Sequence, residues 1–483
     1  MTLSSTASRL IVFFTSASIL IIEILAGRLL APYLGVSLEV FTGIIGVILA
    51  GISVGAWLGG RAADRLDPVK IPGPLMIGGG LTAIASPVII DFFGPSVGIN
   101  PLSIVFLSAI GFFIPAALLS AVTPVVVKVR LASLENTGSV VGSYSAVGTA
   151  GAIFGTFVTG FVLIAAFPTR PIVAVLGVAL TIAGGALMWT TSRGGALMWG
   201  AVAATAGAAL AFAAGPCQYE TTYHCAEVVS DPDREGGRLL ILDRGHNSYV
   251  DLDDPTYLDF RYAQVMADVI DATFEPGPLD VLSIGGGGFT FPQFLEATRP
   301  GTDHVVLEID RLLVEIGSQE LGFDDEATVV IADARQSIND VPPDSIDLVI
   351  GDAFSGLTVP WHLTTVEFVR IVESRMRPSG VYLINVIDYG DLDFARSTVL
   401  TFQEVFEHVA VFAPSSYLAG EGGGNFVIAG SQSLIPVEET LDTIASRGGI
   451  EAALADADLA TFANGGILLR DDYAPVDQMI DRG

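Results

Sequence analysis

The chain has 483 residues, 51% of them hydrophobic, and a formal net charge of −29. That charge argues against a nucleic-acid partner, because phosphate binding needs clustered Lys and Arg. The only two cysteines, Cys217 and Cys225, show no CxxC spacing, which argues against a zinc site and leaves no metal assigned.

The charge is unevenly spread. Residues 1–215 carry nine Lys and Arg against six Asp and Glu, whereas residues 216–483 carry 14 against 46. An apolar, nearly neutral half therefore precedes a very acidic one. Lysine occurs only as Lys70 and Lys128. A carboxylate-rich, lysine-poor surface suits a high-salt cytoplasm, where ions screen self-repulsion, and points to a halophilic source. Thermal stability is expected to rise as salt approaches molar levels; a melting temperature indifferent to salt would remove that reading.

In chain order, residues 10–31 form an apolar segment long enough to cross a bilayer and lack the small-residue cleavage site of a signal peptide. Further apolar segments follow at about 38–60, 72–93, 102–127, 140–166, 171–190 and 196–214. The first half is thus expected to be an all-α transmembrane bundle of about seven helices, residues 1–215, with the lipid bilayer as its partner. Small residues four apart, as in Gly51 and Gly55 or Gly151 and Gly155, allow close helix packing in lipid. Glu23 and Arg28 lie near the end of the first segment. The economical reading lets Arg28 snorkel to the interface, with Glu23 pairing with it or facing the bundle.

Arg61, Arg65 and Lys70 follow the second segment, and Lys128 and Arg130 the fourth, so both loops are expected to be cytoplasmic. Seven spans would then put the acidic half outside. One span more or fewer reverses the answer, so the count leaves the side of this multi-pass membrane protein open. Cys217 and Cys225 follow the last span. A disulfide between them requires an oxidising compartment, and unlinked thiols are the alternative.

Residues 216–262 read as a small β-rich piece, with a hairpin of 238–243 and 248–252 turning at Arg244-Gly245-His246-Asn247. Residues 257–270 carry apolar residues at helical spacing. From 263 to 483, strands alternate with helical patterns, which implies a mainly parallel α/β Rossmann-like sheet. Its strands are expected near 280–284, 303–307, 328–331, 346–350 and 380–386. A late pair, 408–413 and 425–429, is expected as an antiparallel edge.

Val281-Leu282-Ser283-Ile284 runs into Gly285, Gly286, Gly287 and Gly288, and a second apolar run ends in Glu308, twenty residues on. This is the layout of a nucleoside-binding βαβ unit: glycines let the backbone approach the ligand, and the carboxylate takes a ribose diol. Asp333-Ala334 follows the third strand, where Asp333 could accept a hydrogen bond from an adenine amino group. Asp352 follows the fourth strand and precedes a loop-rich segment, where a carboxylate could bind an ammonium and accept its proton. For both aspartates a helix N-cap is the plain alternative. His362 lies on the loop that would cover the site, with a structural role as its plain reading.

Ile284-Gly285-Gly286-Gly287, Leu307-Glu308-Ile309-Asp310, Asp333-Ala334 and Asp352-Ala353-Phe354-Ser355 stand in the order found in the spermidine synthase (polyamine aminopropyltransferase) family, which residues 216–480 resemble. That family is itself similar to Rossmann-type S-adenosylmethionine methyltransferases. The first half is similar to the transporter-like membrane domain of the membrane-fused branch, through Ala50-Gly51, Gly59-Gly60-Arg61, Asp64-Arg65 and, near the C-terminus, Asp471-Asp472-Tyr473-Ala474-Pro475-Val476. The resemblance implies that Gly285, Gly286 and Gly287 pass beside the cosubstrate, Glu308 binds its ribose, Asp333 and Ala334 meet its adenine, and Asp352 is catalytic.

It further implies a transferase with no tightly bound cofactor, decarboxylated S-adenosylmethionine as cosubstrate and a small-molecule amine as acceptor; a homodimer is left open. Three positions depart from the family. Gly288 stands where an aspartate is usual, Ser355 and Gly356 replace an Asp-Pro, and Phe260-Arg261-Tyr262 replaces a Tyr-His-Glu. Methyl transfer from S-adenosylmethionine is the second reading. A polyamine transporter or sensor carrying a degenerate nucleoside-binding domain is the third.

Overall fold

The computed structural model describes residues 4–98, 100–131, 137–192, 196–211, 213, 215–324 and 326–480. The chain divides into two compact units, Met1–Cys225 and Ala226–Gly483.

In the first unit, α1 (Ser5–Leu34), α2 (Leu38–Arg65), α3 (Pro72–Phe93), α4 (Pro101–Arg130), α5 (Thr137–Ala166) and α6 (Thr169–Ser192) follow one another, and all six are long and apolar enough to cross a membrane. The seventh expected span is a helix, α7 (Ala196–Ala211), of 16 residues. At 1.5 Å per residue it is about 24 Å long, short of the ~30 Å hydrocarbon core. Six helices rather than seven therefore meet the length of a span among the described residues.

The glycines serve close packing. A Cβ on Gly55 would collide with the Ala117 carbonyl, and one on Gly151 with the Phe13 carbonyl, so α2 meets α4, and α1 meets α5, backbone to backbone. Arg28 does not take Glu23 as its partner. Its Nε donates to Glu220 at 3.2 Å, and its other nitrogens donate to the carbonyls of Thr221 and Thr222. A carboxylate outside the helix, at the end of the unit, offered the better-hydrated pairing. Cys217 and Cys225 are joined in a disulfide, with Cα atoms 5.1 Å apart.

After the boundary residue Cys225, the second unit opens with the rest of β1 (Cys225–Ser230), followed by β2 (Gly237–Leu242) and β3 (Gly245–Asp251), an antiparallel set. The β2–β3 turn is tighter than expected. Leu242 pairs with Gly245, and Asp243 takes the left-handed conformation at φ 57° that a two-residue connection demands. The next helix, α8 (Arg261–Thr273), starts four residues later than its periodicity predicts, because Phe260 is extended at its N-cap.

The main sheet contains β4 (Asp280–Ile284), β5 (Asp303–Glu308), β6 (Thr328–Ile331), β7 (Ile346–Gly351), β8 (Met376–Asp388), β9 (His408–Pro414), β10 (Gly424–Ser431) and β11 (Glu451–Ala455). Its order is β11-β9-β10-β8-β7-β4-β5-β6. The five strands from β8 to β6 are parallel, and β9, β10 and β11 are antiparallel additions. The late pair forms as expected, but β11, which the sequence reading missed, pairs with β9 and takes the outer edge.

Successive residues of the central strands go to opposite faces, as period two requires. Leu282, Ile284, Val349, Tyr382 and Ile384 pack into one core, whereas Val281, Leu348, Ile350, Val381 and Leu383 pack into the other. Covering on both faces explains why these strands read as continuous apolar runs. It also leaves the strand ends as the place where polar side chains collect.

Candidate active site at the strand ends

The parallel register brings the predicted residues level. Ile284 pairs with Leu307 on one side and with Gly351 on the other, and Glu308 pairs with Ile331. The chain leaves β4 through Gly285 at φ 93°, and a Cβ there would lie 2.7 Å from the Asp352 carbonyl. Glycine is required by that close approach as well as by the dihedral. Gly287 is also left-handed, at φ 51°, and the Gly288 N–H donates to Ser248 Oγ at 2.9 Å.

Phe289, left-handed at φ 58°, is fully buried and stacks on Phe323 with centroids 4.2 Å apart, which locks the turn into the helix α9 (Thr290–Thr298).

Glu308 ends β5 nearly buried. Its Oε2 accepts from the Gly286 N–H at 2.8 Å and its Oε1 from the Asp310 N–H at 2.7 Å. Burial pushes this carboxyl above its ordinary range, and the two backbone donors pull it partly back. The acid therefore shapes the glycine loop as well as standing beside it.

Asp352, directly after β7, is a carboxylate held between two side-chain donors. Tyr262 Oη on α8 donates to Oδ2 at 2.9 Å, and Asn385 Nδ2 on β8 donates to Oδ1 at 3.0 Å. Asn425 Nδ2 on β10 donates in turn to Asn385 Oδ1 at 2.9 Å, which fixes the orientation of the Asn385 amide. Desolvation pushes the Asp352 pKa up to about 6 against the opposing pull of Asn385 and Tyr262. No helix follows it: Ser355 and Thr358 form an isolated bridge, and the next helical turn is at Trp361–Leu363. An N-cap role does not apply to Asp352. With two acceptor positions used, the carboxylate keeps lone pairs for a further donor.

Asp333 does cap a helix. Its Oδ1 accepts from the Gln336 N–H at the start of α10 (Ala334–Ser337), while Ala334 is buried in the core. Its Oδ2 lies 3.0 Å from His362 Nε2. The loop carrying His362 is fastened here. Arg335 donates to the His362 carbonyl at 2.7 Å and to Thr365 Oγ1 at 3.0 Å, and it pairs with Asp471. Thr358 donates to Asp477 at 3.0 Å. The C-terminal residues Asp471 and Asp477 thus help hold the loop that follows Asp352. Arg335→Ala should increase hydrogen exchange of residues 353–365 about tenfold, for a loss of ~1.4 kcal/mol of local stability; unchanged exchange would show that the clasp is idle.

A narrow pocket is lined by Gly285, Gly286 and Asp352 together with Tyr249, Asp259 and Tyr262. Glu308 reaches it only through the Gly286 N–H, and Asp333 and Ala334 lie one strand further on, beside His362. Gly287 faces Asn247 and Ser248. Sequence reading passed over Asn385, although a lone amide in the run Val381–Val386 was a visible signal. In the sequence Tyr262 stands only as a departure from the family pattern, and nothing in the local pattern singles out Asp259.

No family model matches the chain. Curated relatives are polyamine aminopropyltransferases: one from Chromobacterium violaceum is 27% identical over 157 residues, 31% of this chain and 59% of the relative, and one from Vibrio vulnificus is 27% identical over 192 residues, 39% and 62%. An N-terminal histidine N-methyltransferase of Emericella nidulans is 27% identical over 180 residues, 36% of this chain and 32% of the relative. The chain spans about three fifths of the length of the aminopropyltransferases it matches. Among solved structures, a probable spermidine synthase from Corynebacterium glutamicum has a TM-score of 0.50 and 27% identity, covering 53% of this chain and 96% of that one.

Proposed function

We propose that this chain is an aminopropyltransferase acting on an amine, with decarboxylated S-adenosylmethionine as donor. The observation that carries the reading is Asp352, desolvated and gripped by Tyr262 and Asn385, in one pocket with the glycine turn after β4. The polyamine aminopropyltransferase and probable spermidine synthase relatives agree with it. In this reading Glu308 binds the ribose diol, Asp333 and Ala334 meet the adenine, and Gly285, Gly286 and Gly287 flank the donor's arm.

The amine nitrogen attacks the carbon next to the sulfonium. The N–C bond forms as the C–S bond breaks, methylthioadenosine leaves neutral, and Asp352 takes the proton that the nitrogen sheds. The chain's contribution is alignment of the two reactants plus proton removal. Tyr262 and Asn385 donate to the carboxylate and so fix its direction.

Two carboxylates usual in such sites are replaced here by Gly288 and Ser355. Asp259 lines the pocket and supplies a second acid, which also accepts from Tyr257 Oη at 3.2 Å. A cationic acceptor entering a partly desolvated site needs such a partner. Asp259→Asn should raise KM for the amine about tenfold with kcat little changed; an unchanged KM would remove Asp259 from the acceptor site.

Incubation with each nucleoside and a panel of primary amines tests the reaction. Methylthioadenosine and an aminopropylated amine are expected. Methyl transfer from S-adenosylmethionine is the second reading: the loss of the two acids fits it as well as it fits a different amine, and one relative is an N-methyltransferase. Formation of S-adenosylhomocysteine with no methylthioadenosine would establish it instead.

A further inference from the structure

We infer that the acidic unit lies on the oxidising, non-cytoplasmic side of the membrane. This rests on the bundle crossing a bilayer and not on the chemistry proposed above. Contacts within the first unit define its two ends. At one end Tyr33 Oη donates to Asp91 at 3.0 Å, Arg170 pairs with the same aspartate, and Glu220 accepts from Arg28 and from the Thr169 N–H at 3.1 Å. These residues belong to the C-terminal parts of α1 and α3, the start of α6 and the segment after α7. At the other end Lys128 Nζ meets Asp64 at 2.8 Å, joining the ends of α4 and α2.

The basic residues divide unequally between these ends. Arg61, Arg65, Lys70, Lys128 and Arg130 gather at the second. Arg28 and Arg170 stand at the first, and each is paired with an acid. The excess of basic loops marks the second end as cytoplasmic. Although α7 alone is shorter than a span, it runs back along α6, and the residues after it complete the return of the chain to the first end. Gly207 packs on Val178 and Ala174 of α6, and Glu220, nine residues beyond Ala211, is already bonded to Arg28 and Thr169.

The Cys217–Cys225 disulfide brackets Glu220 at that same first end. Disulfides persist in oxidising compartments and are rare in the cytosol. Redox chemistry and charge asymmetry are independent, and both assign the first end to the outside. Ala226, the first residue of the acidic unit, is covalently attached to Cys225, so chain continuity carries that unit to the same side. One consequence follows for the proposed chemistry. A sulfonium nucleoside bears a fixed charge and does not cross hydrocarbon unaided, so a donor made in the cytoplasm has to be exported before the transfer step.

Intact spheroplasts expressing the full chain, treated with an impermeant protease, test the inference. The acidic unit should be digested without lysis, leaving a membrane-embedded fragment of residues 1–215. A mass-tagging maleimide should find no free thiol in the wild-type chain without reductant. In a Lys70→Cys variant, which leaves the native bridge in place, the new thiol should react with an impermeant maleimide only after permeabilisation. Protection of the acidic unit until lysis, labelling of position 70 from outside, free native thiols, or recovery of the chain in the soluble fraction would each overturn the inference. None of these readouts depends on turnover, so the transferase proposal stands or falls separately.

Discussion

Asp352→Asn should lower turnover by about a thousandfold, within the range of a positioned general base, while nucleoside affinity changes no more than about twofold. The substitution preserves shape. The amide oxygen can accept from Asn385 Nδ2, and the amide N–H₂ can donate to Tyr262 Oη, whose hydroxyl turns to receive it. What is lost is the negative charge and the ability to take a proton. Single-turnover measurements with saturating nucleoside separate this from a binding defect. Turnover within tenfold of wild type would remove Asp352 from the mechanism.

The same group predicts a pH profile. Desolvation holds its pKa at about 6, and a general base in the proposed role works only when deprotonated, so kcat should rise with pH through about 6. The stability effect has the opposite sense. A folded-state pKa above the unfolded value of about 3.9 means that the folded chain holds its proton more tightly. Asp352 therefore favours the folded state at low pH and loses that contribution as pH rises from about 4 through 6. Above pH 6 the Asn variant should melt at or above the wild-type temperature. Loss of activity with retained or increased stability separates a working group from a structural one.

Glu308→Gln should weaken nucleoside binding by about 30–150-fold, equivalent to ~2–3 kcal/mol for losing charge-assisted hydrogen bonds. Both Glu308 oxygens accept backbone N–H groups, from Gly286 and Asp310. An amide can satisfy only one of them and turns its own N–H₂ toward the other. The variant thus loses the charge proposed to meet the ribose diol and disturbs the glycine turn together. Titration calorimetry with the nucleoside, and with adenine alone, distinguishes the two contributions. Near-wild-type nucleoside affinity would show that the diol is held elsewhere.

Much of this was legible from local pattern. The step from an apolar, neutral half to an acidic one is compositional, and it needs no long-range information to predict a helical bundle followed by a separate α/β unit. The order of strand, glycine turn and terminal acid is equally local. Once β4, β5, β6 and β7 are aligned in parallel, Gly285, Glu308, Asp333 and Asp352 collect at one edge, because parallel strands expose their carboxyl ends together. The sequence by itself therefore determined the two-part plan, the sheet type and the edge at which the candidate residues collect.

Tertiary structure decided what those residues touch. Tyr262 is 90 residues from Asp352, and Asn385 is 33 residues from it. Their convergence follows from how α8 packs on the sheet and how β8 pairs with β7, neither of which leaves a trace in local periodicity. Arg28 and Glu220 are separated by 192 residues, and their pairing displaced the nearer Glu23 for the same reason. The turn at Asp243, the edge strand β11 and the Cys217–Cys225 bridge likewise depend on register and chain return. Side-chain periodicity specifies which face of an element is buried; only packing specifies which partner lies against it.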